Sequence, residues 1–515
     1  MKANNPIIWA DFPDPDVIRA GDTYYMVSTT MHMFPGGQIL KSFDLIHWEH
    51  ACYVFDALGD TLAQRLEGGH IYGKGMWAAT LRHYNGLFHL MFTGNDAHKS
   101  YHFTAVHAQG PWLRHEIQGF YYDCSLLFDD DGRVYIAHGN KEIHITELNG
   151  DISGTKDGGL DRIALVDTGN VRVGFEGAHF YKINGKYYLF CIHWPNEGFG
   201  RRTEVCYMAD SLTGEFTGGT IVDDDLGFHN MGVAQGGVID TPGGQWYLML
   251  FQDHGAVGRI PVLVPMAWDN GFPRVEKIPR HVRPAGPKPV RALKRLYASD
   301  TLKKLPLNPL WQWNHEPNNK LWSVSEKGLQ ITTGRIACNL EQAVNTLTQR
   351  TFGPACEAAV TVDASQLNAY DYAGLCALQG CFCQLAVTRD TDSTYISLIS
   401  REAAPAPYAI APPFEPVLER VHIKCDQPVV TLKASFRFEE MADTVIFYYL
   451  DQGIWHPVGK PHALSYRLDH FVGCRIGLFC YATKQPGGSA VFSDFQYTVT
   501  QEEPFQHPES TPAMG

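Results

Sequence analysis

One local pattern recurs five times in the first half of this chain, and it constrains the fold more than any other feature. A turn glycine is followed within four residues by an aromatic or histidine and then an apolar run. The copies are Gly21-Asp-Thr-Tyr-Tyr-Met-Val, Gly86-Leu-Phe-His-Leu-Met-Phe, Gly132-Arg-Val-Tyr-Ile-Ala, Gly185-Lys-Tyr-Tyr-Leu-Phe and Gly244-Gln-Trp-Tyr-Leu-Met-Leu. Their glycines lie 65, 46, 53 and 59 residues apart. Each copy reads as a tight turn leading into a buried strand. A repeat of roughly 50 residues that holds several strands has the spacing of propeller blades. Five units predict an all-β, five-bladed β-propeller. The competing reading is an all-β protein with unrelated Gly-aromatic hairpins.

Counting nine residues back from the last four glycines reaches Trp77, Asp123, Glu176 and Gln235; seven back from the first reaches Asp14. In a propeller the innermost strands line one axis, so equivalent positions point toward one another. Three of these five positions are acidic and a fourth is Trp77. Carboxylates gathered on an axis repel and lose hydration, which argues for a function rather than packing. Two carboxyl groups can cleave a glycosidic bond, one as a protonated acid and one as an ionised base or nucleophile. A third negative charge helps keep the acid protonated near neutral pH. Asp14, Asp123 and Glu176 can supply that trio, and Trp77 an apolar face for a sugar ring. Each has a plainer reading. Asp14 lies in Pro13-Asp14-Pro15-Asp16, where Asp is a common turn former. Asp123 can cap a strand edge, and Glu176 can be an isolated buried acid. Asp16, two residues on, would share a strand face with Asp14 and competes for the base role. His32, His193 and His254 fall near blade loops and are candidate substrate contacts, while His179 reads as a hydrogen-bonded core residue.

Composition excludes other classes. Charged residues sum to 42 − 55 = −13, a poor match for nucleic acid or an anionic membrane. No apolar run is long enough for a transmembrane helix, and Met1–Pro6 lacks the apolar core of a secretory signal, so a cytoplasmic location is expected. The twelve cysteines show no CxxC or zinc-type spacing and are expected to be reduced. Phosphate-loop, HExxH and GxSxG motifs are missing.

The blade pattern fades after Pro279, and Arg283-Pro-Ala-Gly-Pro-Lys-Pro-Val290 breaks both helix and strand. The predicted organisation is a propeller over 1–282, a linker over 283–296, a β-sandwich over 297–503 and a tail over 504–515. Alternating runs such as Ala358–Val362, Tyr395–Ile399 and Thr444–Tyr449 supply the sandwich strands.

These residues resemble glycoside hydrolase family 43. The likeness is carried by Phe12-Pro13-Asp14-Pro15-Asp16, Gly75-Met76-Trp77-Ala78, Asp123-Cys124-Ser125-Leu126 and Phe175-Glu176-Gly177-Ala178-His179. In the second half it is carried by Trp311-Gln312-Trp313-Asn314-His315, Tyr372-Ala373-Gly374-Leu375 and Arg475-Ile476-Gly477-Leu478-Phe479, which resemble the concanavalin A-like sandwich of the family's β-xylosidases. The resemblance implies an inverting exo-glycosidase acting on xylosides or arabinofuranosides. Asp14 would be the general base, Glu176 the general acid and Asp123 the group that tunes the acid. In such a site base and acid stand ~6.5–9.5 Å apart. The resemblance also implies substrate contacts from Trp77, Arg259 and Phe34, and Gln235 and His32 are further candidates. No cofactor is expected. The family often has a histidine near an axial calcium or water where this chain has Gln235, which disfavours an axial calcium here. The retaining fructosidase alternative lacks its Asn-Asp-Pro-Asn-Gly and Arg-Asp-Pro signatures. A non-catalytic sugar-binding propeller would usually have lost one of the three acids. A sugar partner is expected and neither nucleic acid nor membrane; the sequence leaves a homo-oligomer open, and Arg475 with its neighbours is the candidate contribution of the second half to the pocket.

Overall fold

The computed structural model describes residues 3–286, 294–401, 417–425 and 427–500. Five four-stranded antiparallel sheets follow one another along the first half. Their innermost strands are Asp16–Ala20, Met76–Tyr84, Ser125–Phe128, Val171–Ile183 and Ala234–Asp240. This is the predicted five-bladed propeller. The five signature glycines sit in the turns between first and second strands, all with φ between 61° and 80°. Glycine adopts that left-handed turn without the Cβ penalty other residues meet. The apolar run after each glycine is the second strand, whose alternate residues pack between neighbouring blades.

Polar ties on the axis join the blades. Arg82 of the second blade donates to Asp16 of the first (2.7 Å), to Ser125 and Leu126 of the third (2.8 Å each) and to the Phe180 carbonyl of the fourth (3.5 Å). The Tyr181 hydroxyl accepts from the Val238 amide of the fifth (3.0 Å). The ring is closed by the N-terminal segment, which runs along the fifth blade. Asn5 bonds to the amide and carbonyl of Leu263, Ile7 N donates to Pro261 O (3.0 Å) and Phe12 N to Arg259 O (2.9 Å). That closure brings Asp14 beside Arg259, 245 residues away in sequence.

The second half is a sandwich of an eight-stranded and a seven-stranded antiparallel sheet. It is not a separate bead. The propeller strand Met33–Phe34 pairs with Gln312–Asn314 as the edge of the larger sheet. One apolar core runs from Phe12, Trp48 and Val257 into Val360, Leu375 and Ile476. Of the predicted linker over 283–296, residues 287–293 lie outside the described residues, as does the tail over 504–515; Ala285 N donates to Asp44 O on the first blade. All twelve cysteines are free, nine of them buried. Among the described residues no helix is long and apolar enough to cross a membrane.

Candidate active site

The first strand of each blade starts at the face where its second strand ends. The loops between second and third strands, and those leading to the next blade, therefore return to that same face. Asp14, Trp77, Asp123, Glu176 and Gln235 all stand there, at or near the starts of the five inner strands. Local backbone aims them. Asp14, Asp123 and Gln235 have left-handed φ of 50°, 46° and 58°. Such conformations are uncommon for residues with a side chain and cluster at functional sites. Glu176 lies between two register shifts in its strand, and further shifts occur at Met76/Ala79 and Ala234/Gly237. Bulges of this kind re-aim a side chain that a regular strand would point elsewhere.

Asp14 is buried and paired with Arg259, whose Nη1 donates to Oδ1 at 2.8 Å. The Arg259 guanidinium lies over the rings of Phe251 (5.2 Å) and Phe471 (4.6 Å). Its Nε and Nη2 are buried with no hydrogen-bond partner among the described residues. Asp11 fixes the surrounding backbone, accepting from Arg259 N through Oδ1 (2.9 Å) and from Gly473 N of the sandwich through Oδ2 (2.8 Å).

Glu176 accepts from Asn140 and from the Tyr122 hydroxyl (3.4 Å). Burial, and then the charge of Asp14, push its carboxyl up to about 7, against the pull of Arg202 and the Tyr122 hydrogen bond. Asp123 accepts from Gly177 N at 3.2 Å, which places it against the peptide that follows Glu176. Burial raises its carboxyl well above the usual range, and the charges of Glu176 and Asp14 raise it further. The two carboxyls lie close enough that ionisation of one disfavours ionisation of the other. The two acids titrate as a pair. Gly177, with φ of 60°, lies so close to Gln235 that a Cβ would fall 2.6 Å from its amide. Gln235 in turn donates its backbone N–H to the buried Glu204 (2.7 Å). Gln235 is thus a floor that supports the turn carrying the acids.

The structure sorts the remaining candidates. Trp77 is half-buried at the mouth, 5.8 Å from Tyr122 and 5.6 Å from Phe471. Asp16 does not share the aim of Asp14, because the left-handed turn between them breaks the strand alternation. It is wholly buried and accepts from Leu81 N and Arg82 as a structural tie. His32 is 0% exposed and stands behind the wall, 4.9 Å from Tyr72, 5.3 Å from His315 and 5.8 Å from His470, so it presents no surface to a ligand. Phe34 is 1% exposed, with its ring against Phe55, and likewise belongs to the wall's interior. His254 stacks on Phe228 at 3.9 Å, and His193 reaches Asp167. Arg475 is buried at the domain interface, where it donates to Gln312 (3.0 Å). The sandwich residues at the mouth are instead Tyr466 and Phe471, a few positions earlier.

Tyr122, Asn140, Arg202, Tyr466 and Phe471 were not singled out by the sequence. The first follows from its place beside Asp123, but nothing local marks the others. Among the described residues no group of three or more His, Cys, Asp or Glu is arranged to hold a metal ion, and the axial Gln235 amide packs on Gly177; no step below uses a metal. A separate concavity of about 690 Å³ on the sandwich is lined by Leu398, Arg420, Lys460 and His462 and, among the described residues, by no carboxylate.

A propeller mouth with one ion-paired carboxylate and a second acid held near neutrality is the site of a glycoside hydrolase. Residues 3–273 match the model of glycosyl hydrolases family 43, and residues 299–498 match the β-xylosidase C-terminal concanavalin A-like domain. The chain therefore belongs to glycoside hydrolase family 43. It is 28% identical over 456 residues to a β-xylosidase of Formosa agariphila, covering 75% of this chain and 74% of that one. It is 27% identical over 353 residues to a non-reducing end α-L-arabinofuranosidase of Bacteroides ovatus, covering 63% of each. Among solved structures it superimposes on a bifunctional GH43-CE protein of Bacteroides eggerthii with a TM-score of 0.88 and 38% identity, covering 97% of this chain but 64% of that one. A family 43 enzyme engineered for both endo-xylanase and exo-arabinofuranosidase activity matches with a TM-score of 0.86 at 25% identity, covering 97% of this chain and all of that one.

Proposed function

We propose that the protein is an inverting, exo-acting β-xylosidase that releases xylose from the non-reducing end of short xylo-oligosaccharides. The observation that carries this reading is the contrast between two carboxyl groups in one mouth. Asp14 is ion-paired with Arg259 at 2.8 Å, while Glu176 is raised to about 7 by burial and by the charge of Asp14. A carboxylate held by a guanidinium suits the base, and a carboxyl kept protonated near neutral pH suits the acid. In this mechanism Glu176 gives its proton to the glycosidic oxygen as the C1–O bond breaks. Asp14 takes a proton from a water whose oxygen attacks C1 from the opposite face. Asp123, bonded to the amide after Glu176, holds the acid's peptide in place and keeps its proton on. Trp77 and Phe471 offer ring faces to the sugar, and the sandwich residues narrow one side of the mouth, which suits removal of a terminal residue.

The second reading, α-L-arabinofuranosidase or both activities in one pocket, is supported by the Bacteroides ovatus relative of that name. Rates on nitrophenyl β-D-xyloside and nitrophenyl α-L-arabinofuranoside separate the two. Proton NMR of the first-formed sugar should show the inverted anomer, and retention would remove Asp14 from the base role. Unchanged hydrolysis in Asp14→Asn and Glu176→Gln would remove both acids from the mechanism, and a wild type that binds xylose but hydrolyses no glycoside would favour a non-catalytic sugar-binding propeller.

A further inference from the structure

The sandwich segment 464–474 enters the propeller mouth as a fixed wedge. From the sandwich side Gln379 donates to Val472 O (2.6 Å) and Ser465 bonds to Cys381, while Arg467 pairs with Asp469 (2.8 Å) inside the segment. From the propeller side Asp11 accepts from Gly473 N and Ala256 O from Cys474 N (2.8 Å). A Cβ on Gly73 would meet Leu468 O at 2.9 Å, so the two halves touch backbone to backbone. The wedge presents two aromatic rings to the site. Phe471, at φ of 54°, covers Arg259, and Tyr466 lies 6.2 Å from Phe471.

The Tyr466 hydroxyl is buried yet meets no hydrogen-bond partner among the described residues. It approaches the Arg259 guanidinium closely enough to stabilise that charge, and it stands within the fields of Asp11, Asp14 and Arg202. Arg202 also acts on Glu176, so the phenol and the acid share one cationic neighbour. Beside it, Arg259 spends only Nη1 on Asp14 and leaves Nε and Nη2 unpartnered. Buried donors are almost always satisfied in native proteins. Several orphaned together in a catalytic mouth mark where a polar ligand completes them. A sugar hydroxyl both donates and accepts, which suits a phenol and a guanidinium edge at once.

We infer that Tyr466 is a substrate-binding residue that, with the free edge of Arg259, hydrogen-bonds one hydroxyl of the terminal pentose, so that the second domain takes part in choosing the sugar. This rests on the pentosidase reading above. Because both side chains are held by rigid neighbours, they reward a ring that places its hydroxyl at one position and penalise a ring that does not.

The test is Tyr466→Phe, which keeps the ring packing and removes only the hydroxyl. It is assayed on nitrophenyl β-D-xyloside, its 2-, 3- and 4-deoxy analogues and nitrophenyl α-L-arabinofuranoside. On the parent glycoside kcat/KM should fall about 10- to 100-fold, with both limbs of the pH profile and the melting temperature unmoved. One deoxy analogue, already poor for the wild type, should lose nothing further in the variant, because the contact is absent from both. An active wild type with an unaltered Tyr466→Phe variant overturns the proposal alone. So does an equal loss on every analogue, which assigns Tyr466 to packing around Arg259. A wild type inactive on both parent glycosides overturns the pentosidase reading and this inference with it.

Discussion

Replacing Asp123 with Asn tests the electrostatic account of the acid most directly. The substitution keeps the side-chain volume and an oxygen that can accept from Gly177 N, so the turn carrying Glu176 should persist. What it removes is one negative charge. The rise of Glu176 from 4.5 to about 7 corresponds to roughly 3 kcal/mol against its ionised form, with burial the largest cause. Two unit charges about 6 Å apart in an effective dielectric of about 20 repel by roughly 3 kcal/mol, about two pH units. Asp123 is itself pushed up and carries only part of a charge while Glu176 titrates, so about one pH unit is the expected effect. The sign follows: with the neighbouring charge gone, Glu176 ionises more easily and loses its catalytic proton at lower pH. The basic limb of kcat/KM on nitrophenyl xyloside should therefore move downward by about one pH unit, and the acidic limb should stay. Removing Arg202, whose charge pulls Glu176 the other way, should move the basic limb upward. A basic limb that is unmoved in Asp123→Asn, or that rises, would refute the coupling and leave Asp123 a purely structural acceptor.

Two further outcomes follow from the packing. Gly177→Ala and Gly21→Ala share a left-handed φ of 60° and 61°, but a Cβ at 177 would strike Gln235 at 2.6 Å while one at 21 meets nothing within 4 Å. Both should lose about 1–2 kcal/mol of stability to backbone strain, and only Gly177→Ala should also lose activity, by an order of magnitude or more in parallel kinetic and thermal assays. Burial holds His32 and His315 neutral, well below the usual 6.5, with His70 and His470 adding repulsion to both, Arg475 to His32 and Arg335 to His315. The unfolded chain binds those protons below pH 6.5 and the folded chain does not, so stability present above that pH is lost as pH falls. At pH 5 each such histidine costs about 2 kcal/mol. His32→Phe should flatten the fall in melting temperature between pH 7 and 5, and an unchanged slope would remove His32 from acid destabilisation.

Five glycine-aromatic copies sufficed to read the propeller, because a blade is a local unit whose turn and second strand carry their own pattern. The same spacing led to Asp14, Asp123 and Glu176, since radially equivalent slots share one axis whatever the loops do. Asp16 shows where that reasoning stopped. Strand alternation puts it on the face of Asp14, and only a left-handed turn, invisible in Pro-Asp-Pro-Asp, separates an ion-paired site carboxylate from a structural tie to Arg82. The blade-loop position of His32 and the family resemblance at Phe34 both point to the pocket. Yet Met33–Phe34 also pairs with the sandwich, and that pairing draws them into the wall. Arg475 stands out in the sequence by its charge but is buried at the domain interface, whereas nothing local marks Tyr466 and Phe471, which the wedge brings to the mouth. Periodicity and local turn chemistry thus determined the blades and the acids, which repeat at short range. The tertiary structure alone decided which rings and hydroxyls meet those acids, because such contacts join residues hundreds of positions apart and depend on how two domains close over one core.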